Sequence, residues 1–387
     1  MPTTTDSGRF VAQSLLPPPV TPNRPEPLFT LGSVRYEAVR ELTVMPSGEV
    51  LLLAHRYVLD EDVPGPCLVR RLPSPVTYEE RKRLVDEIQL AFRLSHPSIA
   101  QVFHLKIHRG APHVVMEHVD GPSLDTLMSA GVARGKPVSE ALALFIGAEV
   151  ADALHYAHTL RGDDNRPLGI VHRDVNPRHV FLGNHGGVKL ANFGAAYSLM
   201  VGRVRSPANL VRGDVAYASP EYVERQPVSP ASDLFSLGVV LVELLTGKHL
   251  FDVADVPPAP DGMPPLHGEP FPSLPLTQMR VLLSRFGPAD VESAVKELSP
   301  DVKAILHAAL RVAPGERFAT AADMGEVLRA ALTKRHPSYG RQDAQQEIAR
   351  VIAEGSCLRD MMEFGEAGIY PEGLDAHELE ALSDDED

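Results

Sequence analysis

The sequence predicts an α+β protein of two lobes, a small strand-rich one followed by a larger helical one. Two patterns predict it. Between Tyr36 and Pro122, short apolar stretches of strand length surround a single helical pattern, and beyond Pro122 apolar residues recur at helical spacing. A third observation sets the scale: 387 residues with 44% hydrophobic content can fill a substantial core in one large or two moderate domains.

The elements follow in order. Residues 1–30 carry Pro2, Pro17, Pro18, Pro19, Pro22, Pro25 and Pro27. Proline fixes φ and removes an amide donor, so this stretch reads as an extended or disordered arm outside the folded domain. The domain proper is expected over 31–335, with a first lobe of about 31–120 and a second of about 121–335. In the first lobe, 50–54 (Val-Leu-Leu-Leu-Ala) and 67–70 (Cys-Leu-Val-Arg) read as buried strands. Residues 80–94 read as a helix with Leu84 and Ile88 on one face. A further strand, 113–117, ends at the turn Asp120-Gly121-Pro122.

In the second lobe, Leu142, Ile146, Val150 and Leu154 recur every four residues, the stripe of a core-facing helix. Two short strands, 180–182 and 188–191, flank a turn rich in Gly and Asn. Leu234, Leu237, Leu241, Leu244 and Leu245 mark a strongly apolar helix stopped by Gly247. Residues 254–274 are proline-rich and read as a surface excursion, and helical patterns return over 299–332. The segment 336–387 reads as a helix over 341–364 followed by an acidic tail that ends Asp384-Asp385-Glu386-Asp387.

Composition narrows the function classes. A formal charge of −14 and a pI near 5.6 argue against general nucleic-acid or anionic-membrane binding, which favour basic surfaces. Cys67 and Cys357 are far apart with no CxxC, so neither a disulfide framework nor a cysteine zinc site is expected and a reducing cytoplasm fits. No apolar run reaches the roughly eighteen residues of a membrane span. The opening Met-Pro-Thr-Thr-Thr-Asp lacks the basic start and apolar stretch of a signal peptide.

Five short motifs carry the functional reading. They are His172-Arg173-Asp174-Val175-Asn176-Pro177, Asn192-Phe193-Gly194, Ser219-Pro220-Glu221, Asp233-Leu234-Phe235-Ser236-Leu237-Gly238, and Arg317 within Pro314-Gly315-Glu316-Arg317-Phe318. In order and spacing across 36–332 they resemble the protein kinase superfamily. They match its catalytic loop, its metal-binding triplet, the close of its activation segment, the central helix of its large lobe, and the late arginine that partners Glu221. The run Leu94-Ser95-His96-Pro97-Ser98-Ile99 adds the flavour of bacterial Ser/Thr kinases. The resemblance implies a two-lobed kinase-like fold, with His172, Arg173, Phe193, Gly194, Glu221, Asp233 and Arg317 as structural residues.

Kinase chemistry needs more than a fold. It rests on a Gly-rich phosphate loop, a Lys–Glu pair, two magnesium ligands and an aspartate beside the acceptor hydroxyl. Residues 42–50 keep one glycine and include Pro46, which has no amide to offer phosphate. Arg70 stands at the lysine position, and Glu87, nine residues before His96, supplies the helix carboxylate, so an Arg70–Glu87 strut is expected. At the magnesium positions the resemblance places Asn192 for the triplet Asp and His179, five residues after Asp174, for the usual Asn. Losing a carboxylate beside a cation about 4 Å away forfeits on the order of 4 kcal/mol at intermediate dielectric. Leu68 and Phe181 enlarge the side chains above and below the adenine slot, which Met116 also lines. Asp174 remains as the base, but Asn176 replaces the supporting Lys, and Asp214 replaces a Thr and is expected to repel the Asp174 charge.

The resulting expectation is a pseudokinase. It would be a signalling scaffold or allosteric partner of another protein, such as an active kinase or its substrate, with no cofactor, no nucleic acid and no membrane as ligand. The alternative is a weakly active or atypical Ser/Thr kinase that uses Asp174 with ATP and magnesium or manganese. Other candidates are weaker. His155 and His158 suit a core or capping role better than a metal site, and His104 and His108 lie in a strand–turn region. Ser198 and Ser206 read as loop serines rather than phosphorylation sites.

Overall fold

The computed structural model describes residues 27–44, 48–58, 64–198, 213–251 and 276–366, with side chains to 357. The proline arm up to residue 26, Met45 to Ser47, Ser206, the 254–274 excursion and the acidic tail from 367 lie outside the described residues.

The small lobe is one antiparallel sheet with a helix against it. Its strands are β1 (Pro27–Leu31), β2 (Val34–Val44), β3 (Val50–Val58) and β4 (Gly65–Arg71), then helix α1 (Tyr78–Arg93), then β5 (Val102–His108) and β6 (Ala111–Glu117). Spatial order is β1-β2-β3-β4-β6-β5. The expected arm is corrected at its end: residues from Pro27 form a strand paired with β2. The reason is packing. Phe29 is buried with its ring 5.1 Å from that of Tyr36, and Pro27 sits at the first position of an edge strand, where a missing amide costs no ladder bond.

Alternation along β4 decides which residues reach the cleft. Cys67 and Val69 are fully buried among Phe29, Tyr36, Leu52 and Ala54, so Leu68 and Arg70 lie on the opposite face. Helix α1 starts at a capping box, with the Thr77 hydroxyl accepting from Glu80 N and the Glu80 carboxylate from Thr77 N.

The large lobe holds α2 (Leu124–Ala133), α3 (Glu140–Thr159), β7 (Val180–Leu182), β8 (Val188–Leu190), α4 (Pro220–Val223), α5 (Pro230–Thr246), α6 (Leu276–Arg285), α7 (Pro288–Val295), α8 (Pro300–Ala309), α9 (Ala321–Arg335) and α10 (Arg341–Glu366). Leu142, Ile146, Val150 and Leu154 are all buried along α3, and the leucines of α5 complete one continuous core that α9 covers. Helix α10 lies along α2. Gly355 permits the contact, since a Cβ there would sit 2.6 Å from Ala130. Glu347 of α10 accepts from Ser139 N (2.9 Å), Ser139 Oγ (2.7 Å) and the Tyr339 hydroxyl (2.9 Å), tying α10 to the start of α3. Among the described residues, no helix is long and apolar enough to cross a membrane.

Candidate functional site

The loop before β7 hangs on one carboxylate. Asp233, fully buried in the first turn of α5, accepts from His172 N (2.8 Å), Arg173 N (2.8 Å) and His158 Nε2 (2.8 Å). Burial pushes its carboxyl up, but the His158 bond and the neighbouring imidazoles outweigh this and hold it below the usual range. The grip fixes Arg173 at φ +65°, a left-handed conformation for a bulky residue, and points its guanidinium toward the Tyr197 and Tyr222 rings. His172 sits edge-on to Phe193 with centroids 4.5 Å apart. Its Nε2 meets Ala191 O at 3.0 Å and its Nδ1 accepts from Asp174 N at 3.2 Å, a neutral tautomer that its lowered pKa, driven by burial, favours.

Asp174 therefore begins from a rigid base. Its Oδ1 accepts from Asn176 Nδ2 at 2.7 Å and from the backbone amide of Asp214 at 2.9 Å. This corrects two expectations. Asn176, shorter than the lysine it replaces, supports Asp174 directly. Asp214 helps rather than repels, because its carboxylate is turned to Arg178 Nη2 (2.6 Å) and Ala216 N (3.0 Å) while its amide faces Asp174. The approach requires Gly213 at φ +85°, where a Cβ would lie 2.6 Å from the Asp174 carboxyl carbon.

Across the cleft, the expected Arg70–Glu87 strut is replaced by another. Arg70 Nε and Nη2 donate to Glu49 Oε2 at 2.9 and 2.7 Å, and Nη1 donates to Asn192 Oδ1 at 3.2 Å. The register that pairs Val50 with Arg71 sets Glu49 beside Arg70, so the sheet itself supplies the carboxylate. Asn192, at φ +63°, turns its Nδ2 to His179 Nε2 at 2.8 Å, and His179 Nδ1 meets Asp174 O at 3.0 Å. Arg70 has no acceptor, so one polarity satisfies the chain: Arg70 donates to Asn192, Asn192 to His179 Nε2, and His179 Nδ1–H to the Asp174 carbonyl. Gly194 lies beside this relay.

The residues named from sequence do not all share one place. A cavity of about 680 Å³ opens between α1 and the sheet, lined by Arg70, Glu87, Met116, Asn192, Phe193 and Gly194 among others. Leu68 and Phe181 do not line it. Leu68 faces Met116 across the β4–β6 register, and Phe181 bridges to Ser123 where the chain enters α2. Glu221 and Arg317 lie apart, in the buried base of the large lobe, as a two-pronged ion pair with both N–O distances 2.8 Å. Glu49 and Arg178 take part in the site without any mark in the linear motifs. Only strand register and loop closure bring them there. Among the described residues, no group of three or more His, Cys, Asp or Glu side chains is arranged to hold a metal ion.

A family model described as a protein kinase domain matches residues 73–329, which begins just past β4 and includes every site residue from Glu87 to Arg317. A Ser/Thr-protein kinase PksC of Streptomyces coelicolor is 32% identical over 285 residues, 72% of this chain and 46% of that protein. Ser/Thr-protein kinase PrkC of Bacillus subtilis is 32% identical over 222 residues, 57% of this chain and 32% of its own length. Tyrosine-protein kinase MasK of Myxococcus xanthus is 32% identical over 161 residues, 42% of this chain and 25% of its own. The chain thus spans less than half the length of these curated relatives.

Proposed function

This chain belongs to the protein kinase domain family, and we propose that within it the chain is catalytically impaired, acting as a scaffold or allosteric regulator of a protein partner such as an active kinase. The observation that carries this reading is the relay from Arg70 through Asn192 and His179 to the Asp174 backbone. Magnesium takes hard oxygen ligands, carboxylates above all. The two positions that hold it in the family offer here a neutral amide and an imidazole, already bonded to each other, so these residues do not fit the ion. Arg70 likewise has its fork engaged by Glu49 and Asn192 rather than open to a phosphate. The free thiols Cys67 and Cys357 suit a reducing compartment, and a cytoplasmic setting is part of the proposal.

A second reading has its own support. Asp174 is held by two hydrogen bonds, as a base would need, and several relatives carry the name Ser/Thr kinase. In that reading the chain transfers phosphate from ATP to a serine or threonine, with Asp174 taking the hydroxyl proton.

Thermal shift of the full chain with ATP and magnesium or manganese separates the two. The first reading expects no metal-dependent rise in melting temperature. A rise, followed by phosphate transfer to a peptide that Asp174→Asn abolishes, would establish the second.

A further inference from the structure

The two edges of the small-lobe sheet meet. β1 and β5 lie at opposite ends of the strand order. Yet the Phe29 ring of β1 stands 5.8 Å from the His108 ring of β5 and 5.5 Å from the His113 ring of β6. The two imidazoles are 5.7 Å apart. The twist of the strands curls the sheet until its first strand closes over its last two. Across β5 and β6, Lys106 opposes His113 and Ala111 opposes His108, so the two histidines are diagonal neighbours on one face. Arg109 and Gly110, at φ +49° and +80°, make the tight turn that sets this register. Phe29 is the one buried residue of β1; Pro27 and Thr30 are exposed, and Leu28 and Leu31 are half-buried. The strand is pinned by one ring, which rests on Tyr36 and on two titratable rings.

We propose that His108 and His113 form a pH-sensitive latch on β1, holding Phe29 while both rings are neutral and releasing the strand when His113 is protonated. His113 is the buried member, 4% exposed. Its Nδ1 meets Ala111 O at 3.0 Å, and a carbonyl only accepts, so the neutral ring carries its proton on Nδ1. A second proton adds a charge that no carboxylate faces. Among the described residues, β1, β3, β4 and β5 hold no Asp or Glu. β4 sets Arg71 opposite His113, β5 sets Lys106 opposite it and His108 beside it, and β2 contributes Tyr36. The nearest acidic residues are engaged elsewhere: Glu37 pairs with Arg35, Glu49 with Arg70 and Glu117 with Lys189, while Glu41 is exposed. Helix α1 packs on the other face of the sheet, where Ile88 and Leu84 meet Val114 and Leu105. Ring faces attract cations, but weakly beside the cost of burying a charge with no counter-ion. Burial, aided by His108 and Arg71, outweighs the Ala111 bond and holds the His113 pKa below its ordinary 6.5. The neutral ring therefore stabilises the closed strand fully above about pH 6.5, and this contribution is lost as pH falls from there through the folded value. Release of Phe29 lets water reach His113 and bares Tyr36, Val69 and Val115 of the small-lobe core. β1 lies outside the residues that the kinase family model matches, and the latch does not touch the cleft, so it stands whether or not the chain transfers phosphate.

Amide hydrogen exchange of the full chain at about pH 7.5 and about pH 5.5, each corrected for the intrinsic exchange rate, tests the latch. Wild type is expected to lose roughly tenfold or more of its protection over 28–31 at the lower pH, while 50–58 keeps its own. His113→Phe keeps an aromatic ring that cannot be charged, and it is expected to hold the 28–31 protection at both pH values. His113→Gln, also neutral, gives the same reading should the phenyl ring disturb the fold. An NMR titration of the wild-type imidazoles needs no variant: His113 is expected to titrate below 6.5, in step with the loss over 28–31. Equal protection at both pH values in wild type, or a pH-dependent loss that persists in the uncharged variants, would overturn the proposal. So would a His113 titration out of step with the strand, or a loss over 50–58 as large as that over 28–31, which is general unfolding of the lobe.

Discussion

Replacing Arg317 with methionine removes the centre of a heavily bonded, buried ion pair with Glu221. All five guanidinium hydrogens have acceptors: Nε reaches Arg311 O at 2.8 Å, Nη1 reaches Glu221 Oε1 and Ala231 O at 2.8 Å, and Nη2 reaches Glu221 Oε2 at 2.8 Å and Val312 O at 2.9 Å. The side chains are 0% and 3% exposed. Methionine fills similar volume but leaves the Glu221 carboxylate buried and without its counter-charge, with neutral donors, Ser232 Oγ at 2.6 Å and the Glu221 backbone amide, still reaching it. Breaking a buried pair from one side costs about 3–5 kcal/mol. That corresponds to a fall in melting temperature of roughly 6–20 °C. The double variant Arg317→Met/Glu221→Leu removes the stranded charge and is expected to recover much of the loss. Burial raises the Glu221 carboxyl, but Arg317's bonds and charge outweigh it and hold the group below its ordinary 4.5. A carboxyl lowered by folding stabilises above its unfolded pKa, so this contribution is full at neutral pH. It fades as pH falls below about 4.5 and through the folded pKa. Thermal melts from pH 7 down to pH 3 measure all of this. A single-variant loss under about 1 kcal/mol, the level of an exposed pair, or a double variant that is additive, would refute the reasoning.

Three further perturbations test separate parts of the molecule. Asn192→Ala removes the acceptor of Arg70 Nη1 and the donor to His179 Nε2, a loss of about 1–2 kcal/mol. It is expected to speed amide hydrogen exchange in 191–198, and unchanged exchange there would mean that the relay does not hold the segment. Glu347→Ala strands Ser139 N–H and removes the carboxylate acceptor of the Ser139 and Tyr339 hydroxyls, at about 1–3 kcal/mol. Limited proteolysis should then cut between α9 and α10 faster than in wild type, and an unchanged rate would show that α10 is held elsewhere. Gly213→Ala meets both a left-handed φ and the Asp174 carboxyl at 2.6 Å, so a loss of about 1–3 kcal/mol is expected in a thermal melt, and a neutral result would contradict the close approach of Asp214 to Asp174.

Much of the fold was legible because apolar periodicity and short motifs are local signals. The α3 and α5 stripes, the strand around Cys67 and Val69, and the order of the kinase-like motifs could be read without coordinates. The strand from Pro27 was hidden because its prolines speak for an arm, while the burial of Phe29 against Tyr36 speaks for a sheet edge. The site was legible as a list of residues but not as a set of bonds. Arg70 was marked, yet its partner is Glu49, chosen by the β3–β4 register. Asp214 was marked as a second negative charge, yet the side chain and the amide of one residue point in different directions, which only the backbone path through Gly213 determines.

What the amino-acid order determined alone is residue chemistry: an arginine where a lysine is usual, an amide and an imidazole where oxygen ligands are usual, and an aspartate retained. No folding is needed to know which groups can donate, accept or carry charge. Tertiary structure decided which of them meet. Hydrogen bonds act over about 3 Å, and only the closed chain brings residues 49, 70, 179 and 192 within that reach.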